Sequence, residues 1–148
     1  MNNEPVSIRR AGPQDAEEVV HLVNELAEQS GETSPISIQY VHQYLSESES
    51  QILLAELNGR TIGMLSYSVQ PDLYHAGPVG LIELLIVHQA ERGKGIGSTL
   101  VGEVLRRAKA QGWVELSVST MPENQSAIEF YRKHGFMDLA VLLEQHFM

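Results

Sequence analysis

The sequence predicts an α/β (α+β) fold: a single domain over residues 1–148, with a mixed, largely antiparallel sheet flanked by helices. Three observations predict it. A chain of 148 residues with 43% hydrophobic content suits one core and buries about two-thirds of its unfolded surface. Its apolar periodicity runs strand, two helices, three strands, helix, strand, helix, strand. No repeat, low-complexity tract or Pro/Gly/Ser-rich linker divides it.

Val6–Arg10 reads as a short strand ended by Ala11-Gly12-Pro13. From Asp15 to Gln29, Ala16, Val19, Val20, Leu22, Val23, Leu26 and Ala27 recur at helical spacing. Asp15 is the expected N-cap and Gly31 the stop. Ser37–Ser46 predicts a second helix with Ile38, Val41 and Leu45 on one face. Gln51–Leu57 and Arg60–Val69 form a hairpin through Asn58-Gly59, a dipeptide suited to two successive positive φ angles. A loop through Pro71-Asp72, Tyr74-His75 and Gly77-Pro78 then leads to Leu81–Val87, an apolar run that suits a strand buried on both faces. Ser98–Gln111 is helical and stops at Gly112, with Leu100, Val101, Val104, Leu105 and Ala108 as its stripe. Val114–Thr120 alternates like a strand, Asn124–His134 is helical, and Leu139–Leu143 is a last strand candidate. Met121, Met137 and Met148 read as packing or terminal residues.

Ten Lys+Arg against nineteen Asp+Glu leave a net charge of −9. That balance argues against nucleic acid as a partner, since phosphate neutralisation needs clustered cations. The absence of cysteine removes disulfides, thiolate metal sites and a thiol nucleophile together. The six histidines show no metal-ligand spacing, and no Gly-x-Ser-x-Gly elbow occurs, so no metal is expected. The opening residues lack a signal-like apolar run and no stretch is long enough to span a bilayer, which makes the cytoplasm the expected compartment and a membrane no partner.

Arg92-Gly93-Lys94-Gly95-Ile96-Gly97-Ser98 lies between a strand and a helix. That arrangement offers unpaired backbone N–H groups and a positive helix end to a phosphate. Two other phosphate motifs fail here. A P-loop would need glycine at His88 and Ser or Thr at Gly95, and a dinucleotide fingerprint would need glycine at Ser98 or Leu100. Residues 88–111 also hold five Lys/Arg against two Glu, in a chain that is otherwise acidic. An anion is attracted there, although Arg106, Arg107 and Lys109 also read as a solvated helix end that complements the dipole.

This loop resembles the acyl-coenzyme A pyrophosphate loop of the GNAT N-acetyltransferase superfamily, whose Gln/Arg-x-x-Gly-x-Gly/Ala pattern is met at Arg92, Gly95 and Gly97. Asn124-Gln-Ser-Ala127-Ile-Glu-Phe130-Tyr131-Arg-Lys-His-Gly135-Phe136 is similar to a second block of that family, and Ile8-Arg9-Arg10-Ala11 with Asp15 to its opening. The chain departs at His88-Gln89-Ala90, where many members carry a proline. The resemblance implies the GNAT acyl-CoA N-acyltransferase fold, with one N-acetyltransferase domain over residues 1–148. It also implies acetyl-CoA as cosubstrate, direct attack by an amine acceptor in a ternary complex, and homodimerisation by family habit. A non-catalytic acyl-CoA-binding regulatory module, or a transferase for another acyl group or acceptor, would share the fold.

Acetyl transfer must deprotonate an amine whose pKa is about 10 when lysine-like, stabilise an oxyanion and protonate a thiolate. Glu83 interrupts the apolar strand, where a charge is costly without a partner; it is either the base or a carboxylate held structurally. His75 is a second candidate base. Asn124, Ala127, Ile128 and Tyr131 share one helix face, on which Ala127 leaves room for the pantetheine arm. The resemblance makes Tyr131 the acid towards the thiolate; otherwise it is a core aromatic. It also implies that the main chain of Leu85 and Val87 pairs with the arm like an added strand, and that residues 92–98 hold the pyrophosphate. The acceptor would lie near Gln29–Tyr44 and Pro71–His75. Ten Asp/Glu against three Arg in residues 1–60 suit a cationic amine there, or simply a solvated face.

Overall fold

The computed structural model describes residues 5–47, 49–137 and 139–147. Its elements are β1 (Ser7–Arg10), α1 (Ala16–Gln29), α2 (Ile38–Ser46), β2 (Ser50–Leu57), β3 (Arg60–Asp72), β4 (Gly77–Val87), α3 (Ile96–Gln111), β5 (Glu115–Val118) and α4 (Gln125–Lys133). The sheet order is β1-β2-β3-β4-β5, antiparallel throughout except for the parallel pair β4–β5. No helix among the described residues is long and apolar enough to cross a membrane.

The alternation of strand side chains divides the interior into two layers. Leu53, Leu65, Tyr67 and Ile82 face α3, where Leu100, Val101 and Val104 cover them. Ile52, Leu54, Met64 and Ile86 face α1 and α2, where Val19, Leu22 and Val41 close the other layer. The β2–β3 hairpin turns at Asn58 and Gly59 with φ of 54° and 74°.

Several expectations are corrected. Asp15 stands at the N-cap position of α1, but its side chain makes no cap bond there. It ends a single 3-10 turn, Pro13–Asp15, and its carboxylate accepts the Gly12 N–H at 2.7 Å and a bidentate pair from Arg9 at 2.7 and 2.8 Å. Arg9 also bonds Glu56, so one guanidinium ties β1 to β2 and to the entry of α1. The segment expected as a loop after Val69 is instead a continuation of the β3–β4 hairpin out to Asp72 and Gly77. The strand Leu81–Val87 is not buried on both faces along its length: Leu81 is 41% exposed and Glu83 is exposed. The last strand does not form. Residues 139–147 carry no regular element, and Leu139, Val141, Leu142 and Leu143 face solvent, for the apolar pattern found no strand to pair with among the described residues. Met121 and Met137 are likewise exposed rather than packed, and Met148 lies outside the described residues.

Candidate active site

The site begins with how β4 leaves its neighbour. Its parallel pairing with β5 runs from Val79↔Glu115 to Ile82↔Val118 and stops there. Pairing with β3 continues to Val87, so the outer half of β4 has a strand on one edge only. The N–H of His88 reaches Ile62 O on β3 at 2.8 Å. Strand alternation therefore turns the main-chain polar groups of Leu85 and Val87 to the open edge, as an added extended chain would require. Among the described residues only the Val87 carbonyl is engaged there, by Arg92 Nε at 3.2 Å.

A β-bulge sits where the opening starts. Ser66 pairs with Leu84 and Tyr67 with Ile82, which leaves Glu83 as the extra residue. A bulge bends a strand and re-aims a side chain. Here it places Ile82 against α3, while Leu84, only two residues on, faces the α1/α2 layer. The Leu84 N–H released by the bulge is taken by the buried Ser66 hydroxyl at 3.2 Å. Glu83 turns to the α2 side and accepts the Tyr44 hydroxyl on Oε1 at 3.0 Å. Burial, then the Glu83 charge and this bond, push the Tyr44 phenol far above its ordinary value, against the smaller opposing effect of the Ser50 and Ser66 hydroxyls, so Tyr44 stays protonated and donates to Glu83. Glu83 is thus held by a hydroxyl rather than by an ion pair, and its second oxygen has no partner among the described residues.

Tyr131 approaches from the opposite layer. Asn124 caps α4 by accepting the Ala127 N–H at 3.1 Å, and the ring of Tyr131 is buried between Phe130 and Phe136. Burial pushes its phenol up to about 12, so it stays protonated at neutral pH. No described residue bonds its hydroxyl. Tyr131 belongs to the α3 layer and Glu83 faces the α1/α2 side, so the two lie on opposite faces of the sheet.

Past the end of β4, the turn Gln89–Glu91 leads to the glycine loop. Gly93 and Gly95 have φ of 78° and 80°, and nothing lies within 4 Å of where a Cβ would stand on either. Gly95 caps α3 without a side chain, so the first N–H groups of the helix are unused by any cap. Arg92, Lys94 and Ser98 are exposed around this end, whereas Ile96 is buried in the α3 layer and offers only its main chain. Lys94 is tied to Glu91 at 2.9 Å and Ser98 to His134 at 3.1 Å. Phe130 and Leu85 lie 3.4 and 3.7 Å from a notional Gly97 Cβ, which draws α4, the loop and the free edge of β4 together.

The remaining candidates fall elsewhere. His75 is at the tip of the β3–β4 hairpin, bonded to Asp72 at 2.7 Å and close to Glu115. Six strand residues separate that tip from Glu83, roughly 20 Å at strand rise, so neither His75 nor Pro71–His75 reaches the opening. His88 is taken by Glu25, whose carboxylate also accepts the Gln89 N–H at 2.8 Å and so anchors α1 to the loop entrance. A polar cavity of about 380 Å³ beside Arg9, Glu56, Arg60 and His88 is larger than any room beside Glu83, but its Arg9 and His88 are already paired with carboxylates. Tyr44 and Ser66 were missed in the sequence. The signal existed: Tyr44 follows Val41 by three on the packed face of α2, and Ser66 is a hydroxyl inside an apolar strand.

The model of the acetyltransferase (GNAT) family matches residues 17–136. The chain belongs to the GNAT family. It is 29% identical over 129 residues to the aminoalkylphosphonate N-acetyltransferase of Salmonella typhimurium, covering 87% of this chain and 83% of that one. A crystal structure described as a transcriptional regulator from Bacillus halodurans superposes with a TM-score of 0.84 at 30% identity, over 97% of this chain and all of the other. The GNAT fold recurs in an aminoglycoside acetyltransferase from a soil metagenome, with a TM-score of 0.81 at 19% identity over 97% of this chain and 95% of that one. Some further N-acetyltransferase relatives are longer, and this chain spans 41–46% of their length. As a GNAT member it is an acetyl-CoA-dependent N-acetyltransferase.

Proposed function

We propose that the enzyme transfers acetyl from acetyl-CoA to a primary amine by direct attack within a ternary complex. The observation that supports this is the open edge of β4 beyond Ile82, with an oriented Glu83 at the bulge where it begins, together with a buried Tyr131 hydroxyl that no described residue bonds. The residues present fit the cosubstrate. Open space above Gly93 and Gly95 and the uncapped start of α3 suit a pyrophosphate, with Arg92 and Lys94 beside it. The free main chain of Leu85 and Val87 suits an amide-bearing arm. Asn124 and the small Ala127 line the same helix face as Tyr131.

When bound, acetyl-CoA supplies the acyl group in activated thioester form. Glu83, directly or through water, takes the proton that an ammonium must lose before its nitrogen becomes nucleophilic. Tyr131, kept protonated by burial, holds the proton that a departing thiolate needs. Backbone N–H groups on the open edge of β4 can support negative charge on the carbonyl oxygen.

A second reading, an acyl-CoA-binding regulator without turnover, is favoured by the description of the Bacillus halodurans structure. One experiment separates the two: calorimetric titration with acetyl-CoA, followed by thiol release against a panel of amines. Binding with amine-dependent release is the expected result. Binding with no release from any amine supports the regulator, and no binding removes the glycine loop from the site. Competition among thioesters fixes the acyl group.

A further inference from the structure

Beside Glu83, on the α1/α2 side of the sheet, is a cavity of about 170 Å³. Of its eleven lining residues, Glu83 alone is charged and none is cationic. Val23, Ile36, Met64 and Leu84 form walls, Tyr40 completes the lining, and Tyr44 bonds the carboxylate. Tyr40 is 54% exposed, so the cavity opens to solvent past its ring. An apolar cavity of about 150 Å³ accommodates one benzene ring and stays dry when empty. The room here therefore matches a single branched aliphatic group or one aromatic ring. It does not suit a phosphate or phosphonate, for which no donor cation is at hand and which Glu83 would repel.

The placement ties this cavity to the reacting centre. Glu83 and Leu84 are consecutive, and both face the cavity because the bulge turns them there, at the point where β4 parts from β5. A group seated against Leu84 and Ile36 would hold an attached amine at the free oxygen of Glu83, whose other oxygen is fixed by Tyr44. We propose that the acceptor is a primary monoamine carrying one small, uncharged apolar group, an arylalkyl- or branched alkylamine, and that the pocket between α1, α2 and β4 selects it over amines bearing anions or further charges. This rests on the reading of the enzyme as an amine acetyltransferase. It sets the acceptor apart from the aminoalkylphosphonate for which the Salmonella relative is named.

The test is thiol release by the whole protein with four amines: 2-phenylethylamine, 3-methylbutylamine, 2-aminoethylphosphonate and spermidine. The first two are expected to exceed the others in kcat/KM by at least tenfold, about the discrimination that a few apolar contacts supply. Equal or better turnover of the phosphonate or the polyamine overturns the inference. So does release from none of the four by a protein that binds acetyl-CoA, whereas failure to bind acetyl-CoA overturns the underlying reading instead. Ile36→Phe, at a half-buried loop position, narrows the cavity. It should raise KM for 2-phenylethylamine severalfold more than for methylamine, with acetyl-CoA affinity unchanged; an equal effect on both amines places the apolar group elsewhere.

Discussion

On the α3/α4 side of the sheet, the groups suited to acetyl-CoA come from two contiguous stretches, Arg92–Ser98 and Asn124–Tyr131, and much of what they offer is main chain. On the α1/α2 side, the pocket at Glu83 is assembled from one to three residues each of α1, α2, β2, β3 and β4 and of the segment before α2, and what it offers is side chains. The contrast follows from the two ligands. A pyrophosphate and an amide-rich arm are recognised by backbone donors and acceptors, which a glycine loop, a helix start and an open strand edge provide locally. An acceptor is recognised by the shape and polarity of a cavity, which exists only after distant elements converge. The two halves can therefore be altered independently, and that independence is open to experiment.

The largest expected effect is at Tyr131, on the α3/α4 side. Tyr131→Phe keeps the ring between Phe130 and Phe136 but removes the proton, so kcat should fall about 10²- to 10³-fold with acetyl-CoA affinity retained. Because burial holds the phenol up to about 12, Tyr131 should add no ionisation to the rate profile across the neutral range. Parallel losses in turnover and calorimetric affinity would return Tyr131 to binding or packing and leave the opening without an acid. On the other side, Glu83→Gln preserves the Tyr44 contact while removing the base, and kcat/KM should drop by about 10². An unchanged kcat/KM would assign proton removal to water.

The sequence carried the first half of the site better than the second for the same physical reason. Glycine permits the positive φ found at Gly93 and Gly95, so a glycine-rich turn is a local signal, and the hairpin at Asn58-Gly59 was legible on that ground too. Glu83 was visible as a charge in an apolar run, but the bulge that aims it depends on register against Ser66 and Tyr67, which no local pattern encodes. Tyr44 and Ser66 became meaningful only once α2 and β3 met that bulge. The same limit explains the errors in the fold. Pro71 and Pro78 read as loop residues because proline is disfavoured inside sheets, yet they are paired near the end of a long hairpin, where β5 has no register partner beyond Val79. Leu139–Leu143 had the composition of a strand without a neighbour to pair with.

Local encoding makes the loop easy to damage with one change. Gly95→Val puts a β-branched residue at φ 80°, a strain of about 1–2 kcal/mol that the loop relieves by moving. The dissociation constant for acetyl-CoA should rise about tenfold, the equivalent of about 1.4 kcal/mol, while the preference among amines is unchanged. Unchanged affinity would detach the loop from the site. A shift in amine preference would mean that the two halves are not separable.

The smallest effect tests the other half through its scaffold. The Arg9 guanidinium, and with it the Gly12 N–H, holds the Asp15 carboxylate below its ordinary value of 3.8 despite the opposing effect of burial. A carboxylate depressed in the folded state contributes stability that is present above its unfolded pKa and is lost as pH falls through the folded value. Asp15→Asn should therefore lower stability at neutral pH by about 1–2 kcal/mol, the worth of hydrogen bonds to a charged group in a partly exposed pair. The difference between the two proteins in denaturant midpoint should persist down to about pH 4 and close at lower pH, where the native carboxyl is itself protonated. A gap that stays constant into acid would place the effect in packing rather than in the ion pair. Because Asp15 seats the start of α1, which supplies Val19 and Val23 to the acceptor cavity, the variant should raise KM for the amine modestly. Acetyl-CoA affinity should not move, since no residue of the glycine loop touches Asp15; a matching loss there would show that the α1 tie from Glu25 to His88 and Gln89 transmits the disturbance to the loop.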